Sequence, residues 1–113
     1  MAISAVFPTG VVAITLPPLY QWDKGHTLRI HVNPQYPCIE VHFSYSGLKE
    51  AITCTCTVTG DVATVSVPDS CFEQTETVTA WVFAKDEDSG KTTKTIRIPI
   101  IPRAKPPKEV LEV

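Results

Sequence analysis

Two aromatic side chains stand just before a tight turn in Leu16-Pro17-Pro18-Leu19-Tyr20-Gln21-Trp22-Asp23-Lys24-Gly25. Asp23-Lys24-Gly25 reads as the turn, with Gly25 free to take positive φ. Tyr20 and Trp22 are two residues apart, which in extended chain puts them on one side. Two roles compete for them. Large aromatics dominate small cores, so the pair could anchor a corner from beneath. Tyr and Trp are also the side chains that concentrate binding energy at interfaces. In that reading Leu19, Tyr20 and Trp22 form a candidate interface.

The other chemically capable residues are weaker. His31, His42, Cys54 and Cys56 could hold zinc only if their strands adjoined. Cys-x-Cys lacks the two-to-four-residue spacer of structural zinc knuckles, so exposed imidazoles and buried thiols are the simpler expectation. Asp86-Glu87-Asp88-Ser89-Gly90 resembles the start of a calcium loop, but its glycine is fifth rather than sixth. The position of the closing acid is Arg97, so a solvated turn between strands is favoured. No G-x-S-x-G, P-loop, G-x-G-x-x-G or H-E-x-x-H pattern occurs. The sequence therefore assigns no catalytic residue, cofactor or metal, and the expectation is a protein that is not an enzyme.

The elements that must position these residues are strands. Thr, Val and Ile number 14, 13 and 9 among 113 residues, against 5 Leu and 8 Ala. Branching at Cβ restricts helix rotamers and suits a pleated surface. Ten prolines punctuate the chain, and no breaker-free window carries helical periodicity. Period-two runs predict strands over residues 11–15, 27–32 and 39–45 instead. Leu28, Ile30 and Val32 face inward on the second, and Ile39, Val41, Phe43 and Tyr45 on the third. Asn33-Pro34 and Tyr36-Pro37 close the turn between them. Residues 51–58 and 62–67 form a hairpin around Thr59-Gly60-Asp61, with Ile52, Cys54, Cys56 and Val58 on one face. Residues 77–85 are apolar on both faces near the middle, which predicts a central strand with Trp81 in the core. Residues 92–100 return with Ile96, Ile98 and Ile100 inward. About seven short strands without helical crossovers predict an all-β fold, an immunoglobulin-like antiparallel β-sandwich.

Residues 1–101 are expected to form this sandwich, and residues 102–113 a proline-rich, basic C-terminal extension or linker. Pro102-Arg103-Ala104-Lys105-Pro106-Pro107-Lys108 is expected to leave the sheet as an extended spacer, and Glu109-Val110-Leu111-Glu112-Val113 is too short for an isolated helix. The formal charge is −2. Through Ala84 there are 3 basic and 7 acidic residues, net −4, and from Lys85 onward 7 basic and 5 acidic, net +2. Broad electrostatic attachment to nucleic acid or an acidic membrane is excluded by that balance. The start of the chain shows neither a signal-peptide pattern nor a membrane-length apolar run, so synthesis in a cytoplasm is expected. Cys54 and Cys56 share a strand face and cannot conveniently pair with each other. All four cysteines, Cys38, Cys54, Cys56 and Cys71, are expected as free thiols.

Five blocks carry a family resemblance: Phe7-Pro8-Thr9-Gly10; Leu16 through Asp23 with Gly25; Val41-His42-Phe43-Ser44; Ala80-Trp81-Val82-Phe83; and Ile98-Pro99-Ile100-Ile101 followed by Arg103, Lys105 and Pro106. Together they resemble the N-terminal domain of tail-fibre or baseplate proteins in phages and prophages of Gram-positive hosts. Members of that family usually continue past the proline-rich segment into a longer, often helical or fibrous region. The resemblance implies a virion structural role, assembly in the host bacterial cytoplasm, tail or baseplate proteins as partners, and homo-oligomers within the virion. No catalytic residue transfers with it. The alternative function is a carbohydrate-binding β-sandwich that stacks host-wall sugars on Tyr20, Trp22 or Trp81.

Overall fold

Alternating β-branched residues build eleven strands in the computed structural model, which describes residues 1–32 and 38–107. In chain order they are β1 (Ala2–Ala5), β2 (Ala13–Thr15), β3 (Leu19–Tyr20), β4 (Thr27–His31), β5 (Cys38–Ser44) and β6 (Ile52–Thr55). Then follow β7 (Thr57–Thr59), β8 (Val62–Ser66), a 3-10 turn at Asp69–Phe72, β9 (Val78–Lys85), β10 (Gly90–Ile98) and β11 (Ile100–Ile101). The expected turn through Asn33-Pro34 and Tyr36-Pro37, the side chain of Cys38 and the segment from Lys108 to Val113 lie outside the described residues. No helix among the described residues is long and apolar enough to cross a membrane.

Two sheets enclose one core. The first has the order β1-β4-β8-β7 and the second β2-β10-β9-β5-β6; β11 and β3 form a separate two-stranded ribbon. Leu28 and Ile30 of β4 and Ala63 and Val65 of β8 join Val41, Phe43, Val78, Ala80, Val82, Ile96 and Ile98 of the second sheet in a single apolar cluster. Phe72 and Cys71, from the 3-10 turn, are fully buried in it. The fold is therefore all-β in two layers, compatible with a β-sandwich, and the inward residues expected on β4, β5 and β10 take part in building it.

The sheets are mixed rather than purely antiparallel. Strands joined by hairpins pair antiparallel, but β1 with β4, β2 with β10, and β3 with β11 pair parallel. The parallel pairs arise because the first twenty residues run from an edge of the first sheet to an edge of the second. There they lie along β10 and β11. Backbone bonds from Thr95 N–H to Val12 O (2.8 Å), Leu16 N–H to Arg97 O (2.9 Å) and Leu19 N–H to Pro99 O (3.0 Å) keep this contact going. Pro17, Pro18 and Pro99 have no N–H to give, so the ladder breaks and the ribbon separates from the sheet.

The segment read as one strand over residues 51–58 changes sheets in its middle. Ile52 to Thr55 pair with β5, and Cys56 N–H donates to Ile39 O at 2.9 Å. From Thr57 the chain pairs with β8 in the other sheet, closing a hairpin through Gly60-Asp61. Val58 consequently does not share the buried face of Ile52 and Cys54. It is exposed, because β7 is an edge strand of the first sheet.

Strand β9 is the middle strand of the five, as its two apolar faces predict. The assignment of Trp81 to the core is corrected, however. Val78, Ala80, Val82 and Ala84 are buried, whereas Thr79, Trp81, Phe83 and Lys85 are half-buried on the outer face. Trp81 lies between His42 of β5 and Thr95 of β10 in register. The Phe83 ring passes over the backbone of Gly90, where a Cβ would meet ring carbons at 2.5 and 2.6 Å.

Two stability measurements check this packing. Phe43→Ala empties a fully buried site and is expected to destabilise by roughly 3–5 kcal/mol. Trp81→Ala, on the outer face, is expected to cost only about 1–2 kcal/mol, both read by urea denaturation. Gly90→Ala forces the Phe83 ring aside and is expected to cost roughly 1–3 kcal/mol. That penalty should largely vanish in a Phe83→Ala background; a penalty independent of residue 83 would refute the contact.

Candidate interaction surface

The aromatic corner is built where β3 leaves the ribbon. Asp23 N–H reaches back to Tyr20 O at 3.4 Å, closing a turn whose third residue, Trp22, has φ 71°. A left-handed non-glycine residue costs on the order of 1–3 kcal/mol and persists only where neighbours over-determine it. Here they do. Trp22 N–H donates to Phe72 O at 2.6 Å, and Gly25 N–H to Asp69 Oδ1 at 3.2 Å. Val67 N–H donates to His26 O at 2.9 Å. The corner is thereby pinned to the 3-10 turn and the chain leading into it. Gly25, at φ 73°, takes the left-handed conformation expected of it.

The period-two alternation that would set Tyr20 and Trp22 on one side ends at this turn. Leu19 is half-buried and packs against the core, Tyr20 is 53% exposed, and Trp22 is half-buried. Tyr20 is opposite Ile101 in the parallel β3–β11 ribbon, and Ile101 is also exposed. Two large apolar side chains thus stand in water side by side.

Beneath the corner lies His26, 3% exposed, a buried residue that the sequence reading did not single out. Its ring is tilted at 52° to Phe72 with centroids 4.8 Å apart. Asp23 Oδ2 is 3.7 Å from its Nε2, and neither ring nitrogen has a hydrogen-bond partner among the described residues. The signal available in the sequence was weak: a lone histidine between a glycine turn and the β4 run.

The chain after β11 returns to the corner. Arg103 N–H donates to Gln21 Oε1 at 3.3 Å, and Lys105 Nζ stands 5.0 Å from the centroid of the Trp22 ring. Trp22, Lys24, Glu73, Lys105, Pro106 and Pro107 line an open groove of about 360 Å³. The segment read as a spacer therefore makes up one wall of the candidate site. Gln21, Glu73 and Lys105 went unnoticed because their spacing in sequence, 52 and then 32 residues, carries no motif.

A second group lies on the outer face of the five-stranded sheet. His42 stacks on Phe83 with centroids 4.9 Å apart and 27° between planes. His42 Nε2 is 3.1 Å from Glu40 Oε1, a geometry in which the ring N–H donates to the carboxylate, and Lys85 Nζ is 2.7 Å from Glu40 Oε2. These two partners, Lys85 first, hold the Glu40 carboxyl below its ordinary value of 4.5. Trp81 is the neighbour of His42 on this face. From Thr95, opposite Trp81, to Ile101, opposite Tyr20, is six residues, roughly 20 Å of extended chain. Of the aromatics named as alternative stacking positions, Trp81 is therefore remote from Tyr20.

The four residues weighed as a zinc set are dispersed. His31 is exposed on the first sheet, and His42 is on the outer face of the second. Cys54 and Cys56 are half-buried against the core. Among the described residues no group of three or more His, Cys, Asp or Glu side chains could hold a metal ion. Cys54 and Cys71 are free thiols, and burial pushes the Cys71 thiol up to about 11. Asp86 is occupied by its own loop: its Oδ1 accepts from Asp88 N–H (2.9 Å), Ser89 N–H (2.8 Å) and Ser89 Oγ (3.2 Å). This is the turn between β9 and β10, and those bonds hold the Asp86 carboxyl below its ordinary value.

The Glu40 network has a pH signature. A carboxyl held low in the folded state stabilises fully above its unfolded value near 4.5, and that stabilisation is lost as pH falls through the lower folded value. Wild type and Glu40→Gln should accordingly differ in stability above about pH 5 and converge towards pH 3. Urea denaturation across that range checks it, and a difference constant with pH would rule out the ionic contribution.

No protein-family model matches the chain, and no curated protein matches it.

Proposed function

We propose that this chain is a non-enzymatic interaction domain of a bacteriophage tail or baseplate, serving virion assembly or host attachment, and that it docks through Leu19, Tyr20 and Trp22. The observation that carries the docking surface is the exposed Tyr20–Ile101 pair on a ribbon whose backbone is locked to the core. Large apolar side chains held rigidly in water lose little conformational entropy when a partner covers them. The tail or baseplate context rests on the resemblance of five sequence blocks, two of which meet at this corner: residues 16–25 supply Tyr20 and Trp22, and residues 98–106 supply Ile101 and Lys105. An immunoglobulin-like course of the strands, a virion location and self-association within the virion belong to the same proposal.

Host-wall carbohydrate is the second reading, and the outer sheet face favours it more than the corner does. There Trp81 neighbours His42, whose ring is hydrogen-bonded to Glu40, so an aromatic face lies beside polar groups. Sugar rings stack on such faces while their hydroxyls bond to the polar rim.

One pair of substitutions separates the readings. Tyr20→Ala should change stability by no more than about 0.5 kcal/mol, as exposed substitutions do. It should weaken binding to purified tail or baseplate proteins of a phage encoding the chain by roughly tenfold or more, as loss of an interface anchor does. Unchanged affinity would remove the corner from the interface. Loss of host-wall polysaccharide binding in Trp81→Ala, with Tyr20→Ala unaffected, would favour the carbohydrate reading.

A further inference from the structure

The corner at Trp22 is already covered by a ligand-like segment. Residues 102–107 belong to no strand or helix and are exposed throughout, yet they touch the corner at spaced points. The backbone N–H of Arg103 meets Gln21, the ammonium of Lys105 lies over the indole of Trp22, and Pro106 and Pro107 complete the wall. The segment's own hydrogen bond runs from the Arg103 side chain to Ala104 O at 3.1 Å. Contacts at every second residue or so, made by a chain outside any strand or helix, are how aromatic grooves hold extended proline-rich peptides. Proline removes backbone freedom before docking, which lessens the entropy lost on binding. The lining that does not belong to the segment is Trp22, Lys24 and Glu73, one base and one acid, so the indole rather than net charge selects the cation of Lys105.

We propose that the corner face presenting Gln21 and the Trp22 indole is a recognition site for a basic, proline-rich extended peptide, and that residues 103–107 of this chain are its resident occupant. They act as a cover that a partner segment of the same chemistry displaces. The cover is suited to exchange because its contacts are solvent-exposed: one backbone hydrogen bond and one cation–π contact. Tethering compensates for that weakness, since a short linker presents its own segment at an effective concentration on the order of millimolar. A free segment must compete with that, and removing the cover exposes the face of Trp22. This inference uses the same corner as the proposed docking surface, but it stands without the phage context.

The test uses the full chain and no phage protein. Trp22 and Trp81 give two indole N–H resonances, assigned with Trp22→Phe. Lys105→Ala should lower the docked-to-free ratio of the tail roughly two- to fivefold, the worth of an exposed cation–π contact. The Trp22 resonance should move while that of Trp81 and the melting temperature stay put, and Lys105→Arg should restore the wild-type position. Adding a synthetic peptide with the sequence of residues 102–107 to the Lys105→Ala chain should return the Trp22 resonance towards its wild-type position. The same peptide with glutamate in place of its lysine should not. An unmoved Trp22 resonance in Lys105→Ala would overturn the proposal, as would equal action of the two peptides. So would a fall in melting temperature that Lys105→Arg fails to repair.

Discussion

Strand β9 has to satisfy two apolar surfaces at once, and the rest of the molecule is arranged around that demand. On the core side it presents small residues where its neighbours are large. Ala80 lies between Phe43 of β5 and Ile96 of β10, and Ala84 is opposite Ile39. Alternating large and small side chains across adjacent strands lets a face fill without voids or forced rotamers. The opposing sheet brings Leu28, Ile30, Ala63 and Val65 to the same cluster, and Phe72 enters it from the 3-10 turn. On the outer side β9 carries Trp81 and Phe83, which half-bury themselves among His42, Gly90 and the Glu40–Lys85 ion pair. A central strand with polar residues on that side would leave its outer face without apolar cover.

The core also fixes the corner. Phe72 is buried completely, so its carbonyl is a stationary acceptor for Trp22 N–H, and that bond helps to hold Trp22 in a left-handed turn. The ribbon does the same from the other side, where Gln21 N–H donates to Ile101 O at 2.8 Å. Rigid backbone beneath exposed aromatics is what an interface anchor requires, because little freedom remains to be lost on docking. The same geometry sets one side of the groove that Lys105, Pro106 and Pro107 close from the other. Corner and tail are far apart in sequence but adjacent in space, since β11 delivers the chain beside β3.

Local pattern was enough for much of the fold. Alternation in residues 27–32, 39–45, 62–67 and 92–100 identified the strands and their inward faces, because a period of two leaves each side chain only one buried option. It also marked residues 77–85 as central, since a run apolar on both faces fits only where both faces are covered. Gly25 in a turn and Asp86 in a loop were legible for the same local reasons.

What alternation could not supply was which of two apolar faces looks inward, or which sheet a strand joins. Trp81 and Val82 are both apolar, and only the opposing sheet decides that Val82 is buried while the larger Trp81 stays outside. Val58 continues the pattern of Ile52 and Cys54, yet the chain crosses between sheets at Cys56, and hydrogen bonding to β8 rather than β5 leaves it exposed. The parallel pairing of β2 and β3 with β10 and β11 and the return of Lys105 to Trp22 join segments about eighty residues apart. The sequence by itself determined the strand chemistry, most of the inward faces and the aromatic corner, because those depend on neighbours along the chain. Only the tertiary structure decided sheet membership, the exposure of Trp81 and Val58, and the tail-covered corner, because those depend on partners that no local spacing encodes.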